Sequence, residues 1–417
     1  MEMLGRTGTR INRLKTWQWL CVIFIAAIIL RVAFVVVWDR DYELPDTGGY
    51  IAVAENILNG NGFVVSDDTR VGRAPVYPLF LSVCFLVFGK SEGAVHYAQG
   101  MIGALVCLPV FFLGRMIDGA RCGLFAASIA ALYPPWIFYT RLILTEAIFI
   151  PLMALGVLLL ISLSKEFRWS SAAGAGLCFG AAILLRPSIL WLWPLAIMAV
   201  LGVSARPKAA LGSVVVASAV IASVMFPWVL RNYRVTGRFV PTTLITGWSL
   251  YEANSAKATG GPAQHIVDWP VKRLIGLSEY ERDEYLRNEA LGYIRKHPCR
   301  FLSLACVKFW RTWTPLPNDS QFRTPLIILL SAGSYLPLMV LGVLGIWATK
   351  QKWRQWVLVL LPVIYYMIVH SVFVGSIRYR TPVMYALMVA AAVVIARLTR
   401  FAAKRRPETC GDVDVLA

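Results

Sequence analysis

Apolar residues fill long runs along the chain, each bounded by a short charged stretch, and the runs predict helices near 17–38, 94–114, 122–141, 147–163, 171–185, 188–203, 209–229, 324–347, 355–371 and 381–398. About ten runs of this length read as membrane-crossing helices, since a bilayer core takes about 20 apolar residues in helical form. The first is preceded by Arg6, Arg10, Arg13 and Lys15 like a signal peptide, yet it is long enough to span and no small-residue cleavage site follows, so it is read as a retained helix. Val76 to Gly89 is too short to cross and is expected to be a juxtamembrane or re-entrant helix. Phe301 to Trp313 is expected to lie on the outer interface, where Trp310 and Trp313 suit the headgroup belt.

Composition agrees with this pattern: 58% hydrophobic residues, 15% charged residues and a mean hydropathy of +0.63 describe a polytopic membrane protein. A net charge of +18 would suggest a nucleic-acid partner in a soluble chain. Here it sorts by side instead, so no nucleic acid is implied. Basic clusters at the N-terminus, at Arg115 and Arg121, Lys165 and Arg168, Arg206 and Lys208, Lys350 to Arg354, and Lys404 to Arg406 fit short cytoplasmic loops. Of the 23 acids only Glu2, Asp118, Glu166, Glu408, Asp412 and Asp414 fall on that side, which leaves 17 outside. The expected organisation is a membrane-embedded module over 1–229 with a first outer loop at 39–75, an outer-face region at 230–323, membrane helices over 324–400 and a cytoplasmic tail at 401–417.

The eight cysteines are scattered without a CxxC, and the four histidines have no ligand spacing, so no disulfide framework and no structural zinc are expected. Both outer loops are too long to be simple connectors. The first has a helical pattern from Gly49 to Leu58, ended by Asn59-Gly60-Asn61-Gly62. The second contains Ser278-Glu279-Tyr280-Glu281, a capping box opening a soluble helix near 279–297 that stops at His297-Pro298. Its Leu286, Ala290 and Ile294 form a packing face with no sign of catalysis.

The candidate chemistry lies where spans meet the outer loops. Trp38 to Asp46 carries four acids at a membrane exit, where a carboxylate needs a task or a partner. Asp46 can serve as a general base toward a hydroxyl or as the N-cap of the following helix. Glu146, in Leu144-Thr145-Glu146-Ala147, has the same two readings: a site carboxylate, or a favourable charge at a helix start. Arg73 stands before Pro75 and Pro78, and Arg378 and Arg380 stand in Ile377-Arg378-Tyr379-Arg380-Thr381-Pro382. Guanidinium groups stay charged and bind phosphate oxygens as a fork, so these three are candidate phosphate ligands, with snorkelling to headgroups as the plain alternative. Arg186 and Arg231 have the same chemistry with a weaker positional argument. Asp39-Arg40-Asp41 has the form of a metal-holding DxD but also of a solvated cluster.

Pro45-Asp46-Thr47-Gly48-Gly49-Tyr50, Arg73-Ala74-Pro75-Val76-Tyr77-Pro78, Tyr133-Pro134-Pro135 with Leu144-Thr145-Glu146, Pro227-Trp228-Val229-Leu230-Arg231-Asn232-Tyr233 and Arg378-Tyr379-Arg380-Thr381-Pro382 occur in one order. Together they resemble the bacterial branch of the dolichyl-phosphate-mannose protein mannosyltransferase family, over roughly residues 17 to 400. The resemblance implies a GT-C-like all-α membrane fold and inverting transfer of a sugar from a polyprenyl-phosphate donor. It implies that Asp46 is the base and that Glu146 borders the same cavity. The related lipid A aminoarabinose transferases imply that Arg73 meets the lipid phosphate. The chain departs from the mannosyltransferase pattern in having Thr47 where a second acid would stand beside Asp46, and in lacking a large C-terminal soluble domain. Sugar and acceptor, whether glycan, lipid or protein, are therefore left open.

The expectation is a glycosyltransferase of the bacterial inner membrane with its active site facing the periplasm. Asp46 and Glu146 are its catalytic residues, and Arg73, Arg378 and Arg380 its phosphate ligands. No cofactor is required, with a loosely held divalent ion at the acidic loop as an option. The alternative is a transporter or flippase of a lipid-linked saccharide, which would call for broken, charged helices at the bilayer midplane and an internal repeat.

Overall fold

The computed structural model describes residues 3–262, apart from 39, 41 and 43, and residues 266–405. The Asp39/Asp41 pair and the tail beyond residue 405 lie outside the described residues.

Among the described residues all regular structure is helical, the one β-bridge being the isolated pair Ser66–Thr69. The first half contains α1 (Met3–Val37), α2 (Pro45–Leu58), α3 (Val76–Phe88), α4 (Glu92–Ala104), α5 (Cys107–Asp118), α6 (Ala120–Leu132), α7 (Pro134–Phe138), α8 (Glu146–Lys165), α9 (Trp169–Leu185), α10 (Leu192–Val203) and α11 (Pro207–Thr236). Then come α12 (Thr246–Ala253), α13 (Val271–Leu274), α14 (Glu279–Lys296), α15 (Pro298–Trp313), α16 (Pro325–Ala348), α17 (Trp353–Val372), α18 (Ile377–Arg380) and α19 (Tyr385–Arg405).

Among the described residues seven segments are long and apolar enough to cross a membrane, and α6 with α7 through Arg141 makes an eighth if the bent pair is one span. The two further crossings expected at 171–185 and 188–203 are the shorter apolar helices Trp169–Leu185 and Pro187–Val203. The stretch expected at 76–89 is the short α3, Val76–Phe88, packed on α2 and α4. Alternation of the spans gathers the loops after α1, α7, α9, α11 and α17 at one end of the bundle.

Proline shapes that end. Tyr133-Pro134-Pro135 bends the α6–α7 span by 50° because proline donates no hydrogen bond and forces the residue before it out of helix. The break leaves carbonyls at the end of α6, and the fully buried Arg31 of α1 donates to those of Ala131 at 3.4 Å and Ala130 at 3.5 Å. Apolar helices need such internal satisfaction, since lipid offers no hydrogen bond. Gly100 and Gly103 of α4 leave the space for this side chain.

The two outer-loop helices behave differently. Ser278 and Glu281 make the reciprocal capping box of α14, which buries Leu286 and Ala290 while Ile294 is half-buried. On α15, Trp310 is exposed, but Trp313 packs against the main core.

Candidate active site

At the proline-rich end, five charged residues from distant parts of the chain meet in one cluster. Asp46 lies in the first turn of α2, which begins at Pro45 rather than at Gly49. It is therefore inside the helix and caps nothing; its carboxylate receives Arg378 Nη1 at 2.7 Å and Arg73 Nη2 at 3.2 Å. Arg73 also lies over the Tyr50 ring, 5.0 Å from its centroid. Gly49 makes that approach possible, because a Cβ there would sit 2.8 Å from Arg73 Nε.

Glu146 starts α8 and is fully buried. Its carboxylate takes Arg378 through Nε, and through Nη2 at 3.5 Å, and takes Arg186 Nη1 at 3.1 Å. Arg186 reaches this position because Pro187 ends α9, leaving Arg186 extended with φ −138° and ψ 97°. Arg378 is thus held in a fork between two carboxylates, the planar arrangement that guanidinium favours.

Arg380 does not join them. One turn of α18 sends residues two apart to opposite sides. Arg380 therefore points away, is buried, donates to the carbonyls of Thr312 and Thr314, and covers the Tyr335 ring at 3.7 Å from its centroid. These contacts tie the Arg378 turn to α15 and α16, with the Arg380 guanidinium engaged away from the Asp46 cluster. Arg231 is also away from the cluster, donating to the Phe63 carbonyl at 2.6 Å.

The cluster opens into a cavity of about 1380 Å³. Asp46, Arg73, Arg186, Arg378 and Arg380 line it, whereas Glu146 does not. Glu146 was expected to border the cavity; it lies behind the arginines instead, paired with Arg378 and Arg186. Three guanidiniums against two carboxylates give the cluster a net charge of +1. Burial pushes the Asp46 carboxyl up, but Arg378 and then Arg73 pull it further down, so its pKa falls below the ordinary aspartate value. Arg378 is lowered by burial and raised more strongly by Glu146 and Asp46, so it stays charged.

Supporting contacts come from the outer loops. Glu279, the first residue of α14, accepts the backbone N–H groups of Arg70 at 2.8 Å and Val71 at 3.0 Å, gripping the loop that carries Arg73. Trp228 Nε1 and Asn232 Nδ2 both donate to the Thr242 carbonyl, at 2.7 and 3.0 Å, which gives the Pro227–Tyr233 motif a structural task. Lys308 of α15 is fully buried and donates to Asn254 Oδ1 at 2.9 Å and the Val372 carbonyl at 2.8 Å, just before the Arg378 turn. Sequence reasoning assigned α14 to packing alone; Glu279, Arg282, Asp283 and Leu286 in fact line the cavity. Among the described residues no three His, Cys, Asp or Glu side chains converge as a metal ion would need.

Known proteins share this architecture. Residues 72–231 match the family described as dolichyl-phosphate-mannose-protein mannosyltransferase, a stretch that includes Arg73, Glu146 and Arg186. Among curated protein sequences no match is found. The archaeal oligosaccharyltransferase AglB from Archaeoglobus fulgidus, in complex with an inhibitory peptide and a dolichol-phosphate, is similar over 96% of this chain and 53% of its own, with 16% identity and a TM-score of 0.57. The Archaeoglobus fulgidus oligosaccharyltransferase in the apo form is similar over 93% of this chain and 51% of its own, with 14% identity and a TM-score of 0.56. ArnT from Cupriavidus metallidurans, bound to undecaprenyl phosphate, matches over 92% of this chain and 78% of its own, with 15% identity and a TM-score of 0.45. The chain spans about half the length of the archaeal chains. The fold is thus the GT-C-like all-α membrane fold expected from the sequence, and the resemblance to the mannosyltransferase family is found again over residues 72–231.

Proposed function

We propose that the protein is an inverting glycosyltransferase that moves a sugar from a polyprenyl-phosphate donor to an acceptor hydroxyl at the outer face of a bacterial inner membrane. The observation that carries this reading is the cavity-facing Asp46 carboxylate held by Arg73 and Arg378 in a cluster with one surplus positive charge. The dolichol-phosphate bound by the archaeal oligosaccharyltransferase supports a lipid phosphate as the anion to be placed there.

A carboxylate paired with two guanidiniums is a weak base, so the donor must change its surroundings. When the phosphate of the donor takes the forks of Arg73 and Arg378, Asp46 loses its counter-ions and its proton affinity rises. Asp46 then accepts the acceptor's hydroxyl proton while that oxygen attacks C1 of the sugar. The bond from C1 to the phosphate oxygen breaks on the opposite face, and the electron pair leaves with the polyprenyl phosphate. Arg73 and Arg378 stabilise the charge that develops on it, and Glu146 keeps Arg378 and Arg186 in place without moving during the reaction. Two guanidiniums supply the neutralisation, so the scheme asks for no cofactor. Apolar side chains on the same cavity, among them Phe34, Trp38, Phe138 and Leu330, provide a wall for the polyprenyl chain.

The test is sugar transfer in proteoliposomes supplied with polyprenyl-phosphate sugars, wild type against Asp46→Asn. Loss of transfer by at least a hundredfold in a normally folded variant is expected. Wild-type turnover by that variant would remove Asp46 from the chemistry and sink the mechanism.

A further inference from the structure

The cavity has a second wall that the donor chemistry does not use. It is built from residues 242–249 and the first turns of α14, and it is braced from behind. Trp228 and Asn232 hold the Thr242 carbonyl, Leu244 N donates to the Val71 carbonyl at 3.0 Å, and Asp283 Oδ1 accepts Gly247 N at 2.7 Å. Gly247 is packed so closely that a Cβ would fall 1.8 Å from the Asp283 carbonyl oxygen.

Toward the cavity this wall presents an indole and a row of hydroxyl-bearing residues. Trp248 stacks one face on Trp269, with ring centroids 4.0 Å apart and planes 16° from parallel, yet 38% of its surface is exposed. Thr246 and Ser249 flank it on the lining. Thr243, only 7% exposed, also lines the cavity, and its Oγ1 is buried with no hydrogen-bond partner among the described residues. A buried hydroxyl left unpaired is unfavourable, so it marks a place where a ligand's polar group would be welcome. The charged side chains on this wall are Glu279 and Asp283 against Arg282, for a net −1. That is the reverse of the phosphate side, and it repels an anionic acceptor.

A flat aromatic face, free hydroxyl capacity and no cationic surplus suit a neutral, polyhydroxylated ring. The C–H face of a pyranose lies against the electron-rich face of an indole while its hydroxyls find partners at the rim. We infer that this wall is an acceptor subsite for a neutral saccharide, with Trp248 as its stacking platform and Thr243 as a hydroxyl partner. The inference rests on the glycosyltransferase reading and narrows its acceptor to a glycan.

The test uses the full chain in lipid nanodiscs and saturation-transfer difference NMR with maltotriose, cellotriose and mannotriose as probes. At least one trisaccharide should receive saturation, concentrated on the C–H protons of one ring face. The signal should fall at least tenfold in Trp248→Ala and several-fold in Thr243→Val, return largely in Trp248→Phe, and stay unchanged in Trp310→Ala on exposed α15. Binding of none of the three, equal binding by Trp248→Ala, or full competition by a Ser/Thr peptide or by phosphatidylglycerol would overturn the subsite. Donor cleavage, read as polyprenyl phosphate released, separates the two readings. Saccharide binding without any cleavage of polyprenyl-phosphate sugars would refute the transferase reading, whereas cleavage without saccharide binding would refute the subsite alone.

Discussion

If Asp46 and the donor phosphate compete for the same guanidiniums, removing the carboxylate charge should strengthen phosphate binding while destroying transfer. In the free protein Asp46 occupies Arg378 at 2.7 Å and Arg73 at 3.2 Å. Its side chain is 33% exposed and those of its partners 20% and 17%, so the pairs lie between the surface case and the buried one. Exposed pairs are worth about 0.2–1 kcal/mol, and breaking a fully buried one costs roughly 3–5 kcal/mol. An intermediate figure of about 1–2 kcal/mol for the contacts a phosphate must displace corresponds to roughly five- to thirtyfold in affinity. Asp46→Asn keeps the shape of the side chain and removes that competition. Binding of a short-chain polyprenyl phosphate, titrated calorimetrically in nanodiscs at neutral pH, should therefore tighten by about that factor. Raising the ionic strength should shrink the gain only modestly, because the cluster is largely shielded from solvent. Weaker binding by Asp46→Asn than by wild type would mean that the carboxylate orients the arginines for phosphate rather than occupying them, and the unmasking step would fall.

The other expectations concern the residues behind the cluster. Glu146→Gln leaves Arg186 and the cavity-facing Arg378 without their buried counter-charge, so the midpoint of thermal denaturation in detergent should drop, consistent with a loss of roughly 3–5 kcal/mol; a melt matching that of Asp46→Asn would contradict the assignment of Glu146 as the positioning residue. Arg380→Met should lower stability through the Thr312 and Thr314 carbonyls and the Tyr335 ring, yet change polyprenyl phosphate affinity less than twofold, and an affinity loss equal to that of Arg73→Met would return Arg380 to the phosphate site. Burial lowers the Lys308 pKa from 10.5 to about 8. Between those values the unfolded chain binds the extra proton, so stability should rise with pH across that window, by up to about 3 kcal/mol, and Lys308→Met should flatten the rise in a pH series of melting curves.

The helical architecture was readable because each span is an apolar run that only a bilayer or a large helical core could accept. The positions of Asp46, Arg73 and Arg378 were readable for a related reason: charge at a membrane exit is costly without a partner. Which partner each found was not readable. Arg378 and Arg380 are chemically identical and two residues apart, and only the direction of one helical turn sends the first to Asp46 and Glu146 and the second to α15. Glu146 looked equivalent to Asp46 as an acid at a helix start, but depth in the bundle is a tertiary property, and it separates a carboxylate that lines the cavity from one that anchors arginines behind it. Arg186, ranked below Arg73 and Arg378 from the sequence, carried a stronger signal than that ranking allowed, a cation between apolar runs with proline directly after it. Trp248 and Thr243 had none, since nothing local distinguishes a tryptophan or threonine of the outer region that faces a cavity from one that faces solvent.

Four of the five charged residues in the cluster lie within four positions of a proline: Asp46 after Pro45, Arg73 before Pro75, Arg186 before Pro187 and Arg378 before Pro382. Within an uninterrupted apolar span, a guanidinium would have to face lipid or replace a core side chain. At Arg186 the proline break frees the residue before it from helical φ and ψ, and at the other three positions proline sets where a short helix starts or stops, so these side chains turn inward along the bundle end while the long helices stay apolar. The break has its own requirement, because carbonyls freed from the ladder need donors. At the α6–α7 bend Arg31 donates to Ala130 and Ala131, and Trp136 Nε1 of α7 donates to the Thr381 carbonyl at 3.0 Å, just beyond the Arg378 turn. The same interruptions that shorten the spans therefore place and fix the charges. An acid at the first membrane exit consequently meets arginines from three later breaks rather than water.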